Sequence, residues 1–336
     1  MSFVHRFENL LLAAVLGLLV LLGVASASTT FSNTDELTRH LTLLIGMLGG
    51  MAAAREGRLL SMGTIAHAMP ARWRPAIEAY TGLVATTVSA VLTLAAWQFV
   101  SGEAGSSSSL AFGVPRIVMQ AVMPIGFAFI TLRLTRHAGS TNTVRAAVLV
   151  AAVALTVVVS QLDGGIGSLR TPLLVALAIA ILFGAPLFVG LAGIALIFFI
   201  SVGDPIASVP LDHYDQVTNP LLATLPLFTL AGYIVTATGA ARRLVRLLQA
   251  WTGHLRGGPA VVTVFACAFF TAFTGGSGIT ILALGGLLMP ILMSSRYDER
   301  KALGLVTGAG SLGVLFAPCL PLILYSIVAQ VSIEEM

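Results

Sequence analysis

Long uncharged apolar runs, separated by short polar or basic segments, fill this chain from end to end. None alternates apolar and polar positions in the manner of a membrane barrel strand, so the runs predict helices. They fall at about 9–28, 38–54, 76–100, 115–132 and 144–161. The run Thr171 to Val202 is broken by Gly184-Ala185-Pro186 and predicts two short spans or a sharply kinked pair. Pro205 to Pro220 reads as a polar loop holding Asp212, His213 and Asp215, and another span follows at about 221–238. Gly239 to Gly258 is a basic amphipathic helix. The last apolar run, about 302–331, is interrupted by Ala317-Pro318-Cys319-Leu320-Pro321.

One run does not fit the pattern. Pro259 to Met293 carries no charge and holds Thr274-Gly275-Gly276-Ser277-Gly278-Ile279-Thr280 at its middle. As one straight helix it would measure about 50 Å. A bilayer core is about 30 Å thick, too thin for one such span, and the run is too short for two full ones. Two arms of roughly 14 residues meeting at the glycines fit, which predicts a re-entrant hairpin with its tip near mid-membrane. Non-helical backbone is tolerated at that depth only where protein or a polar cavity covers it. The first arm ends in free carbonyls suited to a small cation. The second begins with free N–H groups and a positive dipole end suited to an anion. Ser277 and Thr280 add hydroxyls. An ordinary glycine kink packed against another helix is the competing reading.

A second break lies close by. Pro318 and Pro321 each remove a backbone donor, which frees carbonyls near 314–317. Two uncharged breaks so close in sequence predict one shared ion site. Its candidates are Gly275, Gly276 and Ser277 at the tip, with Val314, Ala317, Pro318 and Cys319 at the proline break. The candidates for an anionic substrate are Thr274, Ser277, Gly278, Ile279 and Thr280. No charged residue sits deep in a predicted span, which argues against a proton relay of buried carboxylates.

Composition agrees. With 57% hydrophobic and 10% charged residues, and a mean hydropathy of +0.96, the chain is an all-α integral membrane protein. Placing the N-terminus in the cytoplasm leaves only Arg39, Arg116 and Arg170 outside among 18 basic residues, as the positive-inside rule requires. The count holds only if the hairpin returns to the side it entered from. Cys267 and Cys319 lie in apolar runs and imply no disulfide framework. Asp212, His213 and Asp215 read as a solvated acidic loop rather than a metal site. Nothing suggests an enzyme or nucleic-acid binding. Arg242, Arg243 and Arg246 form a helix face that meets lipid headgroups.

From residue 221 onward the chain resembles the large membrane subunit of TRAP (tripartite ATP-independent periplasmic) transporters. The residues that carry the resemblance are Pro226 to Gly232, Gly239 to Leu244, Gly253 to Gly258, Thr274 to Thr280, Gly310 to Tyr325 and Val331 to Glu335. Residues 1–136 resemble the small four-helix subunit, with Arg55-Glu56-Gly57 after the second span. Residues 137–170 resemble the linker and connector helix of fused small-plus-large proteins, and 171–336 the first repeat of the large subunit. The resemblance implies a bacterial inner-membrane, elevator-type secondary transporter. It would take up an organic acid, handed over by a periplasmic substrate-binding protein and driven by sodium, with no other cofactor. The hairpin and the unwound helix would hold sodium between them.

Two positions depart from the family pattern. Gly276 and Ala317-Pro318-Cys319 stand where the family often has hydroxyl side chains, so backbone coordination is expected. The family's second, inverted repeat is absent, and the chain is expected to be a piece of a longer protein. A stand-alone anion/sodium symporter is an alternative, as is a non-transporting scaffold if the protein ends at Met336.

Overall fold

In hydrocarbon a chain can satisfy its backbone only by bonding within itself, and each apolar run here does so as a helix. The computed structural model describes residues 3–28, 32–63, 69–105, 109–110, 113–139, 141–161, 167–252, 254–255, 257–316 and 319–332. Among them are fifteen α-helices and no β-strand. Five described helices, from His5–Ala25 to Asn142–Ser160, are long and apolar enough to cross a bilayer. The chain is an all-α membrane protein. By packing it forms two compact units, Met1–Thr218 and Asn219–Met336.

The first unit contains α1 (Phe3–Ser28), α2 (Ser32–Glu56), α3 (Arg74–Glu103), α4 (Arg116–Gln120), α5 (Val122–His137) and α6 (Asn142–Ser160). It continues through α7 (Arg170–Leu182), α8 (Leu187–Val202) and α9 (Ser208–Val217). The 30-residue α3 is its axis, and α5, α6, α7, α8 and α9 all pack against it. Small buried residues, Ala85, Ala95 and Ala96, let these helices approach. Val91, Leu92 and Ala95 meet Leu196 and Ile200 of α8, and Ala85 shares a cluster with Leu177 of α7. Residues on both sides of positions 136 and 170 therefore pack as one body.

Polar contacts sort to two ends of this unit. At one end Glu8 of α1 forms ion pairs with Arg55 of α2 and Arg133 of α5, and Arg133 also donates to the Met51 carbonyl. The Leu187 N–H, at the α7–α8 turn, donates to the Leu60 carbonyl at the same end. At the other end His40 Nδ1 lies 2.8 Å from the Glu36 carbonyl, and so carries the proton. Its Nε2 accepts from the Tyr214 hydroxyl at 2.7 Å. The start of α1 thus shares an end with the finish of α2 and of α5, as alternating crossings require.

One sequence expectation needs correction, and one left open is decided. The expected loop Pro205 to Pro220 contains α9, because Pro210 is its third residue, where no backbone donor is needed, and Val209, Pro210 and Tyr214 form a buried side. Of the two readings of Thr171 to Val202, the pair of short helices is the one found, with α7 and α8 packed together.

The second unit begins with a 3-10 turn, Pro220–Ala223. It contains α10 (Thr224–Ala237), α11 (Ala240–Thr252), α12 (Gly258–Thr274), α13 (Ser277–Ser294), α14 (Glu299–Leu312) and α15 (Leu320–Ala329). Leu284, Leu288 and Leu292 of α13 repeat every four residues and form one buried stripe. They pack with Val262, Ala266 and Phe270 of α12 and with Ala302, Val306 and Ala309 of α14. The α12–α13 hairpin therefore leans on the small-residue face of α14. Its arms hold 17 and 18 residues, a few more than the sequence led us to expect.

Candidate functional site

The hairpin turns in two residues. Gly275 has φ +68 and its N–H donates to the Thr271 carbonyl at 2.9 Å, which closes α12 in a left-handed cap. Gly276 is extended and α13 starts at Ser277. The hydroxyls of Thr274 and Thr280 sit 2.9 Å apart across the turn, both buried, and both lie within 3.5 Å of the Gly276 carbonyl. These two threonines staple the turn and are directed inward.

Three glycines bring neighbouring helices onto this turn. A Cβ on Gly232 of α10 would stand 2.9 Å from Thr274 Cγ2 and 3.1 Å from its backbone nitrogen. A Cβ on Gly310 of α14 would stand 2.8 Å from the Ile281 side chain and 3.6 Å from the Ser277 carbonyl oxygen. A Cβ on Gly313 would stand 2.5 Å from the Ala268 carbonyl oxygen and 2.4 Å from Thr271 Cβ. At Gly313, α14 has just ended. The chain passes through a 3-10 turn, Gly313–Leu315, and an extended Phe316 before α15. The helix break thus packs directly against the end of the first hairpin arm, within a turn of helix of the glycines. The break starts earlier than Ala317. Pro318 cannot donate to the carbonyl four residues before it and disfavours helix at the residue preceding it, so the disruption reaches back to 314.

The candidate residues divide accordingly. Ser277 is half-buried and Gly278 exposed, and the Ser277 hydroxyl has no hydrogen-bond partner among the described residues. The N–H groups of Ser277, Gly278 and Ile279 form the first turn of α13, which no side chain caps. Thr274 and Thr280 bond to each other. Val314 lies in the 3-10 turn and its carbonyl accepts from the buried Cys319 thiol at 2.7 Å. That contact keeps the thiol inside the break, and a thiol is in any case a soft ligand poorly matched to sodium. Ala317 and Pro318 lie outside the described residues.

Three contributors were not among the expected site residues. Thr271 has a buried hydroxyl with no hydrogen-bond partner among the described residues, set against the Gly313 break. It falls three residues before Thr274, on the same helix face, and that spacing was its signal. Gly310 and Gly313, also three apart, mark the face of α14 that meets the hairpin. What the arrangement offers is carbonyls and hydroxyls beside two opposed helix ends, with no charged side chain in α12, the turn or α13. Such a site suits a small hard cation next to an anionic group. Among the described residues no cluster of His, Cys, Asp or Glu could hold a metal ion.

Comparison with known proteins gives two family matches. Residues 12–141 match the DctQ component of tripartite ATP-independent periplasmic transporters, and residues 174–336 match the DctM component. The isethionate TRAP transporter permease DctMQ of Oleidesulfovibrio alaskensis is 26% identical over 322 residues, which covers 90% of this chain and 48% of that protein. The C4-dicarboxylate TRAP large permease DctM of Pseudomonas aeruginosa is 32% identical over 147 residues, covering 44% of this chain and 34% of the relative. The ectoine/5-hydroxyectoine large permease UehC of Ruegeria pomeroyi is 30% identical over 161 residues, covering 47% and 38%. The chain spans about half the length, or less, of these relatives.

Proposed function

From the chain's place in the TRAP transporter family, to which it belongs as a small and a large membrane subunit fused in one polypeptide, we propose that it serves sodium-coupled uptake of an organic acid. It is a multi-pass membrane transporter component, not an enzyme. The proposed substrate is a small compound with a carboxylate or similar anionic group, delivered by a periplasmic binding protein. The N-terminus is assigned to the cytoplasm on the positive-inside count.

One observation carries this reading: Gly313, at the end of α14, is packed against Ala268 and Thr271 in the first hairpin arm. Sodium would be held by carbonyls and hydroxyls at this junction, with Thr271 joining Gly275, Gly276 and Ser277. Its charge, together with the N-terminal end of α13, would favour an anion at Ser277, Gly278 and Ile279. Coupling follows because each ion lowers the electrostatic cost of the other. Glycine contacts without intervening side chains support the hairpin and α14 moving as one piece, which an elevator mechanism needs. The match to a small-subunit model favours dependence on a binding protein over a stand-alone carrier.

The test is uptake by the complete protein in proteoliposomes, with its binding protein present. Uptake that needs both an inward sodium gradient and the loaded binding protein supports the proposal. Uptake driven by a proton gradient alone, or undiminished without the binding protein, overturns it.

A further inference from the structure

Helix α11 is more apolar around its circumference than its packing requires. Ala241 and Val245 are buried in the core of the second unit, with Leu244 and Leu248 packed beside them. At 100° per residue the apolar arc continues past this face through Leu247 and Trp251. These two are 49% and 68% exposed. On the other flank stand Arg242, Arg243 and Arg246, all exposed and none in an ion pair among the described residues. No acidic residue lies between Gly239 and Gly258. Left-handed Gly239 leads the chain into the helix, and left-handed Gly257 caps the start of α12.

We propose that this face of α11 is a docking surface for anionic phospholipid headgroups. A 13-residue helix is too short to span a bilayer, and its exposed wing of tryptophan and leucine beside three exposed cations is the profile of a helix lying in the membrane interface. Tryptophan and leucine enter the acyl boundary, while the guanidinium forks reach phosphate oxygens in paired hydrogen bonds. A soluble acidic partner would match the arginines but would leave the adjoining apolar wing in water. A zwitterionic lipid would match the wing but leave the cationic charge uncompensated. The proposal does not depend on what the protein transports.

The test uses the complete protein, with Ala250→Cys labelled by a fluorophore beside the arginines, in bilayers of mixed phosphatidylglycerol and phosphatidylcholine. Bromine is placed on one lipid or the other, and quenching reports which lipid is adjacent. Brominated phosphatidylglycerol is expected to quench about five-fold or more beyond its share of the bilayer. R242Q/R243Q/R246Q should bring quenching down to that share, and R242K/R243K/R246K should keep most of the preference, which separates charge from folding. Quenching no greater than the lipid's share, or a preference that survives the glutamine variant, overturns the proposal. Release of the preference by inorganic phosphate would indicate a free-anion site instead, and a label that neither lipid quenches would indicate a covering protein; either result also overturns it.

Discussion

Gly313 and Ala268 are so close that a Cβ on Gly313 would stand 2.5 Å from the Ala268 carbonyl oxygen. The helix break and the first hairpin arm therefore meet backbone to backbone. Gly313→Ala should force them apart and cost about 1–3 kcal/mol. The expected readout is a lower melting temperature together with loss of uptake. Gly304→Ala, on the same helix with open space at its Cβ, should change neither.

Gly275 holds the hairpin turn with φ +68. Alanine pays about 1–2 kcal/mol in that conformation, and asparagine less. Gly275→Ala should lower the melting temperature more than Gly275→Asn does. Equal melting of the two variants would show that the turn tolerates another backbone conformation.

The two hydroxyl groups at the turn should behave differently. Thr280→Val removes the partner of the buried Thr274 hydroxyl and should cost about 1–3 kcal/mol of stability. Ser277→Ala removes a hydroxyl with no partner among the described residues. It should weaken uptake while leaving expression and melting unchanged. Unchanged uptake in Ser277→Ala would move the substrate away from this turn.

How much of this was legible beforehand follows from what each feature depends on. The helices were, because hydrocarbon leaves long apolar runs no other way to satisfy their backbone. The turn at Gly275-Gly276 was too, since two glycines in a run too long for one span and too short for two have few uses. Thr271 was not. A lone threonine in an apolar arm normally bonds back to its own helix, as Thr263 does to Pro259. The spacing of Thr271, three residues from Thr274, was the one hint, and the approach of Gly313 shows that Thr271 sits at the break. Helix α9 was hidden by Pro210 and its two acids, Asp212 and Asp215, which read as a loop until Tyr214 is seen reaching His40.

Glu8 answers two arginines, Arg55 and Arg133, in a mostly buried cluster. Removing the carboxylate leaves Arg133 with no ion-pair partner among the described residues, while Arg55 keeps Glu56. Glu8→Gln should cost about 3–5 kcal/mol and reduce the yield of folded protein sharply, with Glu8→Asp intermediate. A glutamine variant that melts like the parent would mean the arginines find other partners.

The most direct test of a sodium site between the hairpin turn and the α14 break is the melting temperature of the purified complete protein, measured in sodium against potassium at equal ionic strength. A ligand that binds only the folded state stabilises it by about 2.7 kcal/mol at a hundred times its dissociation constant. Sodium alone should raise the melting temperature, saturably, and Thr271→Val should abolish the rise while melting normally in potassium. Equal melting in the two salts, or a sodium effect untouched by Thr271→Val, would contradict a sodium site at this junction.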